Sequence, residues 1–352
     1  MEELIANVTI PGPDHAAGER ARRRWNAIAK PIGSLGVLED DVIQIAELIG
    51  SEHVDISQRC AVVLCADNGV VAQGVTQCGQ EVTAAVAHNV AQGVSSLCMM
   101  CAPLHIDCLA VDMGMAVRLD EPSIIDLHVA DGTNDITLGP AMTREQAVTA
   151  IKGGMDLVAS LKRQGYGLVV TGEMGIGNTT TSAAMACAFT GIAPEKLVGR
   201  GSGLSDEGLA RKVRVIEQAL SVNKPQADDP IDVLRTVGGF DIAGLVGLFL
   251  GGAVHRVPMV VDGAISTVAA YCAWRLRPEC RRAMFPSHLS TEPAAAVLME
   301  CMGMQAVIKA NMHLGEGTGA ACLVPLLDMA LSLYENGVSF DDCGIEPYEV
   351  RP

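Results

Sequence analysis

Two apolar patterns alternate along the chain. Short unbroken runs, rich in valine, occupy residues 61–65, 107–112, 167–171 and 257–261, and each closes on Asp, Gly or Glu. Runs of this kind predict strands buried on both faces, as in a parallel sheet. Between them, apolar residues recur with a helical period over 39–49, 80–99, 144–163, 179–189, 205–220, 242–254 and 318–333. Ser205 followed by Asp206 and Glu207 has the form of a capped helix start. Strands alternating with longer helices predict an α/β fold. Ligands of open α/β sheets lie beyond the carboxyl ends of the strands, and Asp67, Asp112, Glu173 and Asp262 all fall at that edge. Residues 1–60 and about 280–352 are punctuated by proline and mostly helical, so the two ends are expected to pack together as a smaller lobe.

Composition narrows the picture. Of 352 residues, 49% are apolar but only 3% aromatic, so the core must be built from Ala, Val, Leu, Ile and Met. The formal charge of −16 argues against a nucleic-acid partner, which needs a basic face. It leaves phosphate ligands open, because backbone N–H groups at helix N-termini bind anions without net positive charge. The acidic, proline-broken start (MEELIANVTIPGPDH) is unlike a signal peptide. The most apolar stretch, 244–254, stops at His255 and Arg256 and reads as a buried helix rather than a membrane span. A cytoplasmic protein with reduced cysteines is expected. Cys98 and Cys101 have redox or zinc spacing, but no second pair accompanies them, so buried structural thiols are the expectation. No metal and no cofactor are expected.

Three glycine-rich segments could carry chemistry. In residues 171–182 (TGEMGIGNTTTS) a strand runs into a turn and hydroxyl residues open a helix. Gly175 and Gly177 allow close approach to an anion, and Asn178, Thr179 and Thr180 supply donors. The pattern lacks the Gly-Lys-Ser/Thr of a P-loop. Residues 199–203 (GRGSG) form a second loop before a helix, with Lys212 two turns further on. In residues 313–320 (HLGEGTGA), Glu316 between two glycines suits a general base, and equally an acid that complements a helix dipole. His88, on an apolar helical pattern, is expected to be a satisfied core or interface histidine. For His288 a ligand-facing and a surface position are both open.

Taken together, residues 30–39 (KPIGSLGVLE), 172–180 (GEMGIGNTT) and 314–321 (LGEGTGAA) resemble the nicotinate-nucleotide–dimethylbenzimidazole phosphoribosyltransferase family. Residues 74–76, 80–83, 199–203, 237–243 and 260–265 extend the resemblance in order over nearly the whole chain. It implies a three-layer α/β/α large domain with a mostly parallel sheet (61–280). It also implies a smaller helical lobe from both termini (1–60 and 281–352) that carries the Gly-Glu-Gly segment. The implied reaction moves the phosphoribosyl group of nicotinate mononucleotide onto a cobamide lower-ligand base, with inversion at C1′. Glu316 matches the catalytic base and Glu173 a second carboxylate. Gly175, Ile176, Gly177, Asn178, Thr179, Gly201, Gly203, Lys212, Ser290 and Gly315, with Met174, Leu314, Gln77 and Ala85, match substrate-binding positions.

The departures from the family pattern concentrate on the acceptor side. Asn68, Ala264 and Ala295 stand where the family usually has His, Phe and His, and His313 stands for an Arg. Gly79 and Ala85 replace the usual Pro and Gln. Losing aromatic and hydrogen-bonding groups leaves two readings. The chain is an active transferase for a benzimidazole, purine or phenolic acceptor such as phenol or p-cresol. Alternatively it is the partner subunit of a heteromeric phenol-activating enzyme. A dimer, with itself or with a paralogous chain, is expected in either case.

Overall fold

The computed structural model describes residues 2–348 except Ser202, which belongs to the 199–203 loop. Its centre is a six-stranded sheet in which every pair is parallel. The strands are β1 (Arg59–Ala66), β2 (Ile106–Gly114), β3 (Ile125–Asp126), β4 (Leu168–Met174), β5 (Met259–Val261) and β6 (Met284–Pro286), in the order β3-β2-β1-β4-β5-β6. The four strands expected from the apolar runs are β1, β2, β4 and β5. β3 and β6, of two and three residues, were not expected, because neither lies in a valine-rich run like the one at 257–261 that carries β5.

β1 and β4 are buried along their whole length. Their register pairs Val63 with Gly172 and Leu64 with Glu173. Successive residues point to opposite faces, and different elements cover the two sides. A Cβ on Gly172 would lie 2.5 Å from the carbonyl oxygen of Glu316, so that face meets the loop before helix Thr318–Asn336. A Cβ on Gly244 would lie 2.8 Å from Leu64 Cδ1, so the other face meets helix Phe240–His255. Helices on both faces make the three layers.

Helix Phe240–His255 is the expected buried, small-residue helix, and its glycines have a packing role. A Cβ on Gly247 would fall 2.0 Å from Ile151 O, and one on Gly154 would fall 2.2 Å from Gly244 O. The helix Arg144–Arg163 therefore approaches it backbone to backbone. Helices Val37–Ile49, Arg144–Arg163, Asn178–Thr190, Asp206–Asn223 and Thr318–Asn336 match their expected positions.

One expectation fails. The single helix over 80–99 is two helices, Glu81–Ala91 and Ser96–Cys101. Gly93 between them takes a left-handed φ of 71°, and Ser95 Oγ restarts the chain by accepting the Cys98 N–H at 3.2 Å. His88 is exposed, with Nδ1 3.8 Å from Glu121, so of the core and interface positions expected for it the core one does not hold. Cys98 and Cys101 are buried free thiols. No helix among the described residues is long and apolar enough to cross a membrane.

Candidate active site

The strand order reverses between β1 and β4, so the crevice beyond their carboxyl ends is where a ligand should bind. A cleft of about 310 Å³ opens there. The three glycine-rich loops line it, with Val75, Thr76, Cys78 and Val82 on one wall and Ala264 and Ile265 on another.

The first loop follows β4. A Cβ on Gly175 would come within 2.5 Å of Asp241 Oδ2 and 2.6 Å of Ala66 O, so only glycine fits. Gly177, at φ 97°, caps helix Asn178–Thr190, whose first turn opens on the cleft. The Asn178 amide donates to both Glu173 Oε2 and Asp241 Oδ2, the latter at 2.8 Å. Burial drives the Glu173 carboxyl well above its ordinary value, and the neighbouring Asp241 adds to the rise. Burial also pushes Asp241 up to about 6. Glu173 thus accepts the Asn178 amide in a buried setting that disfavours its charged form.

The second loop turns through left-handed glycines, Gly201 at φ 55° and Gly203 at φ 100°. The Gly201 N–H donates to Glu292 Oε1 at 2.8 Å. Arg200 donates to Leu204 O at 2.8 Å and pairs with Asp206. Lys212 lies beneath, fully buried, and donates to Thr179 Oγ1 at 3.0 Å and Gly199 O at 3.2 Å. Burial lowers its ammonium to about 8, while the charge of Glu292 opposes the fall. Ser205 caps the following helix as expected, accepting the Gly208 N–H at 3.2 Å.

In the third loop, Gly315, Glu316 and Gly317 have φ of 85°, 60° and 91°. A left-handed glutamate costs on the order of 1–2 kcal/mol, and it persists because its surroundings hold it. The buried Asp262, just after β5, accepts the N–H groups of Gly317 at 3.2 Å and Ala320 at 2.8 Å. The close approach at Gly172 blocks movement toward the sheet. Glu316 itself is half-buried in the cleft wall, and burial, then Asp262, raises its carboxyl above the ordinary value of 4.5. His288 is neither at the surface nor in the cleft. It is buried with Nδ1 3.9 Å from Asp262 and 3.2 Å from Ser287 Oγ.

Most of the residues named from sequence meet in this cleft: Glu173, Met174, Gly175, Ile176, Gly177, Asn178, Thr179, Gly201, Ser290, Leu314, Gly315 and Glu316. Lys212 supports its floor through Thr179, and Gln77 donates to Gly203 O at its margin. Ala85 is not brought in; it is exposed on helix Glu81–Ala91. Of the four strand-end acids, Glu173 and Asp262 reach the cleft. Asp67 instead accepts the Ala116 N–H at 2.8 Å, and Asp112 accepts those of Gly114 and Met115 at 2.9 Å each. Sequence reasoning did not single out Asp241 or Glu292 as site residues. The only trace of Asp241 is an acid opening an otherwise apolar helix. Among the described residues no cluster of three or more His, Cys, Asp or Glu could hold a metal ion.

Comparison with known proteins shows what the whole chain is similar to. A family model described as Phosphoribosyltransferase matches residues 10–345. The nicotinate-nucleotide–dimethylbenzimidazole phosphoribosyltransferase of Acetivibrio thermocellus is 42% identical over 331 residues, covering 94% of each chain. That of Clostridium acetobutylicum is 39% identical over 349 residues, covering 99% of each. The crystal structure of CobT from Thermus thermophilus superposes with a TM-score of 0.89 at 34% identity, covering 94% of this chain and 99% of that one.

Proposed function

The chain belongs to the nicotinate-nucleotide–dimethylbenzimidazole phosphoribosyltransferase family, and on that premise we propose that it moves the 5-phosphoribosyl group of nicotinate mononucleotide onto a benzimidazole-type lower-ligand base. The products are an α-riboside 5′-phosphate and nicotinate. The observation that carries this reading is the convergence of an anion cradle and a proton-accepting carboxylate on one cleft.

The roles follow from chemistry. The phosphate takes the Gly201 N–H and the opening of helix Asn178–Thr190, with Lys212 beneath as counter-charge. The apolar wall of Val75, Val82, Ile265 and Leu314 suits a flat acceptor ring. A ring nitrogen of the acceptor attacks C1′ from the face opposite the leaving pyridine. The C1′–N bond breaks with its electron pair going to the pyridine nitrogen. The acceptor's second nitrogen gives up its proton to Glu316, whose carboxyl is poised by burial to take it. One proton leaves per turnover. Positive charge developing on the ribose is stabilised by the nearby carboxylate oxygens.

We further propose that residues 61–280 form the large domain and that 1–60 with 281–352 form the lobe bearing Glu316. Supporting this, the Ala29 N–H donates to Val338 O at 2.8 Å and Arg24 Nε to Tyr334 O at 2.9 Å, so the two ends meet. Incubation of the purified chain with nicotinate mononucleotide and a panel of benzimidazoles and phenols tests the activity. Nicotinate release with a benzimidazole supports it. Turnover only after a paralogous chain is added would make this protein the partner subunit instead.

A further inference from the structure

The anion cradle of the second loop is already occupied by the protein's own carboxylate. Glu292 Oε1 accepts the Gly201 N–H at 2.8 Å. Both of its oxygens press on the backbone of Gly199, where a Cβ would lie 2.3 and 2.4 Å from them. Glu292 is the residue before helix Pro293–Cys301 and sits at its N-cap position, yet its side chain makes no capping bond there. It reaches across to the loop instead. Beneath it, Lys212 uses two of its three N–H donors on Thr179 and Gly199, and the third has no partner among the described residues. Glu292 is the charge that acts on this buried ammonium.

A carboxylate and a phosphate monoester compete for the same kind of donors. We propose that Glu292 is a resident placeholder anion: it keeps the loop formed and Lys212 charged when the cleft is empty, and the substrate's phosphate must displace it. This rests on the reading that the cleft binds a mononucleotide. Two like charges cannot share one N–H and one ammonium at close range. The displacement therefore sets the affinity and favours a dianionic phosphate over an uncharged nucleoside group. Gly199 is glycine because the carboxylate lies against it, not because its φ requires it, since it is absent from the left-handed positions.

The test uses calorimetric titration of the full chain at neutral pH and fixed ionic strength, with inorganic phosphate and nicotinate mononucleotide as probes. Glu292→Gln should bind each about tenfold more tightly than the wild type, and nicotinate riboside no more tightly. Gly199→Ala, whose Cβ evicts the carboxylate without removing it, should shift both probes in the same direction. Unchanged or weaker phosphate binding in the folded variants overturns the placeholder role. Wild-type turnover is measured on the same preparation. No nicotinate release would fail the functional reading, whereas turnover without tightening in either variant would fail the placeholder alone.

Discussion

Lys212→Met should raise stability at neutral pH while removing nucleotide binding, and the two effects come from the same buried charge. The ammonium is fully buried and titrates at about 8 rather than 10.5. At ~1.4 kcal/mol per tenfold, that gap is about 3 kcal/mol of destabilisation carried by the charged form. The variant also leaves Thr179 Oγ1 and Gly199 O without their donor, at roughly 1 kcal/mol each. The net gain is ~1 kcal/mol. With an unfolding entropy of about 2.1 cal/mol/K per residue over 352 residues, Tm rises by roughly 1–2 °C. The sign changes with pH. The unfolded chain holds more protons than the folded one between about 8 and 10.5, so the wild type gains stability as pH climbs through that window. Near pH 10 the variant should melt about 2 °C below the wild type. Thermal scans of both proteins from pH 7 to 10, compared as a difference, check this. A variant less stable by the same amount at every pH would refute the claim that the buried ammonium costs stability.

Other consequences are as direct. Gly172→Ala places a Cβ 2.5 Å from Glu316 O. It should therefore displace the Glu316 loop and lower kcat at least a hundredfold, with affinity for nicotinate mononucleotide, measured by titration, changed much less. The acid limb of kcat/KM should lie above pH 4.5, because Glu316 must be ionised to accept a proton and its carboxyl is raised above that value. Activity should fall as pH drops through the raised value, and a limb at or below 4.5 in a pH–rate profile would contradict the assignment.

Much of the fold was legible because its signals are local. The valine-rich runs read as strands, of which β1 and β4 are buried along their whole length while β2 opens to solvent at its start, and Gly175, Gly201 and Gly315 announced backbone that must approach something closely. What brings those loops together is the parallel order of the sheet, which places the ends of β4 and β5 side by side. Residues acting across the sequence were harder to read. Asp241 and Glu292 enter the site from helices or turns whose local pattern is that of ordinary structure, and only the packing aims them at Asn178 and Gly201. The split at Gly93 escaped the helical period because the apolar positions resume nearly in phase on its far side. His88 stands beside the buried Ala87 but on the outer side of helix Glu81–Ala91, away from the face carrying Thr83, Ala84, Ala87 and Val90. Glu316, balanced in the sequence between general base and helix-end acid, is held in a left-handed conformation by Asp262 and Gly172, which an acid serving only a helix dipole would not need.

In the proposed reaction Glu316 removes the acceptor's proton during phosphoribosyl transfer. The most direct measurement is nicotinate release by the purified chain with nicotinate mononucleotide and 5,6-dimethylbenzimidazole, compared with its Glu316→Gln variant. The wild type should yield an α-riboside 5′-phosphate and one proton for each nicotinate. The variant should turn over ~10²–10⁴-fold more slowly while binding nicotinate mononucleotide with nearly unchanged affinity. Wild-type turnover by the Gln variant would contradict it.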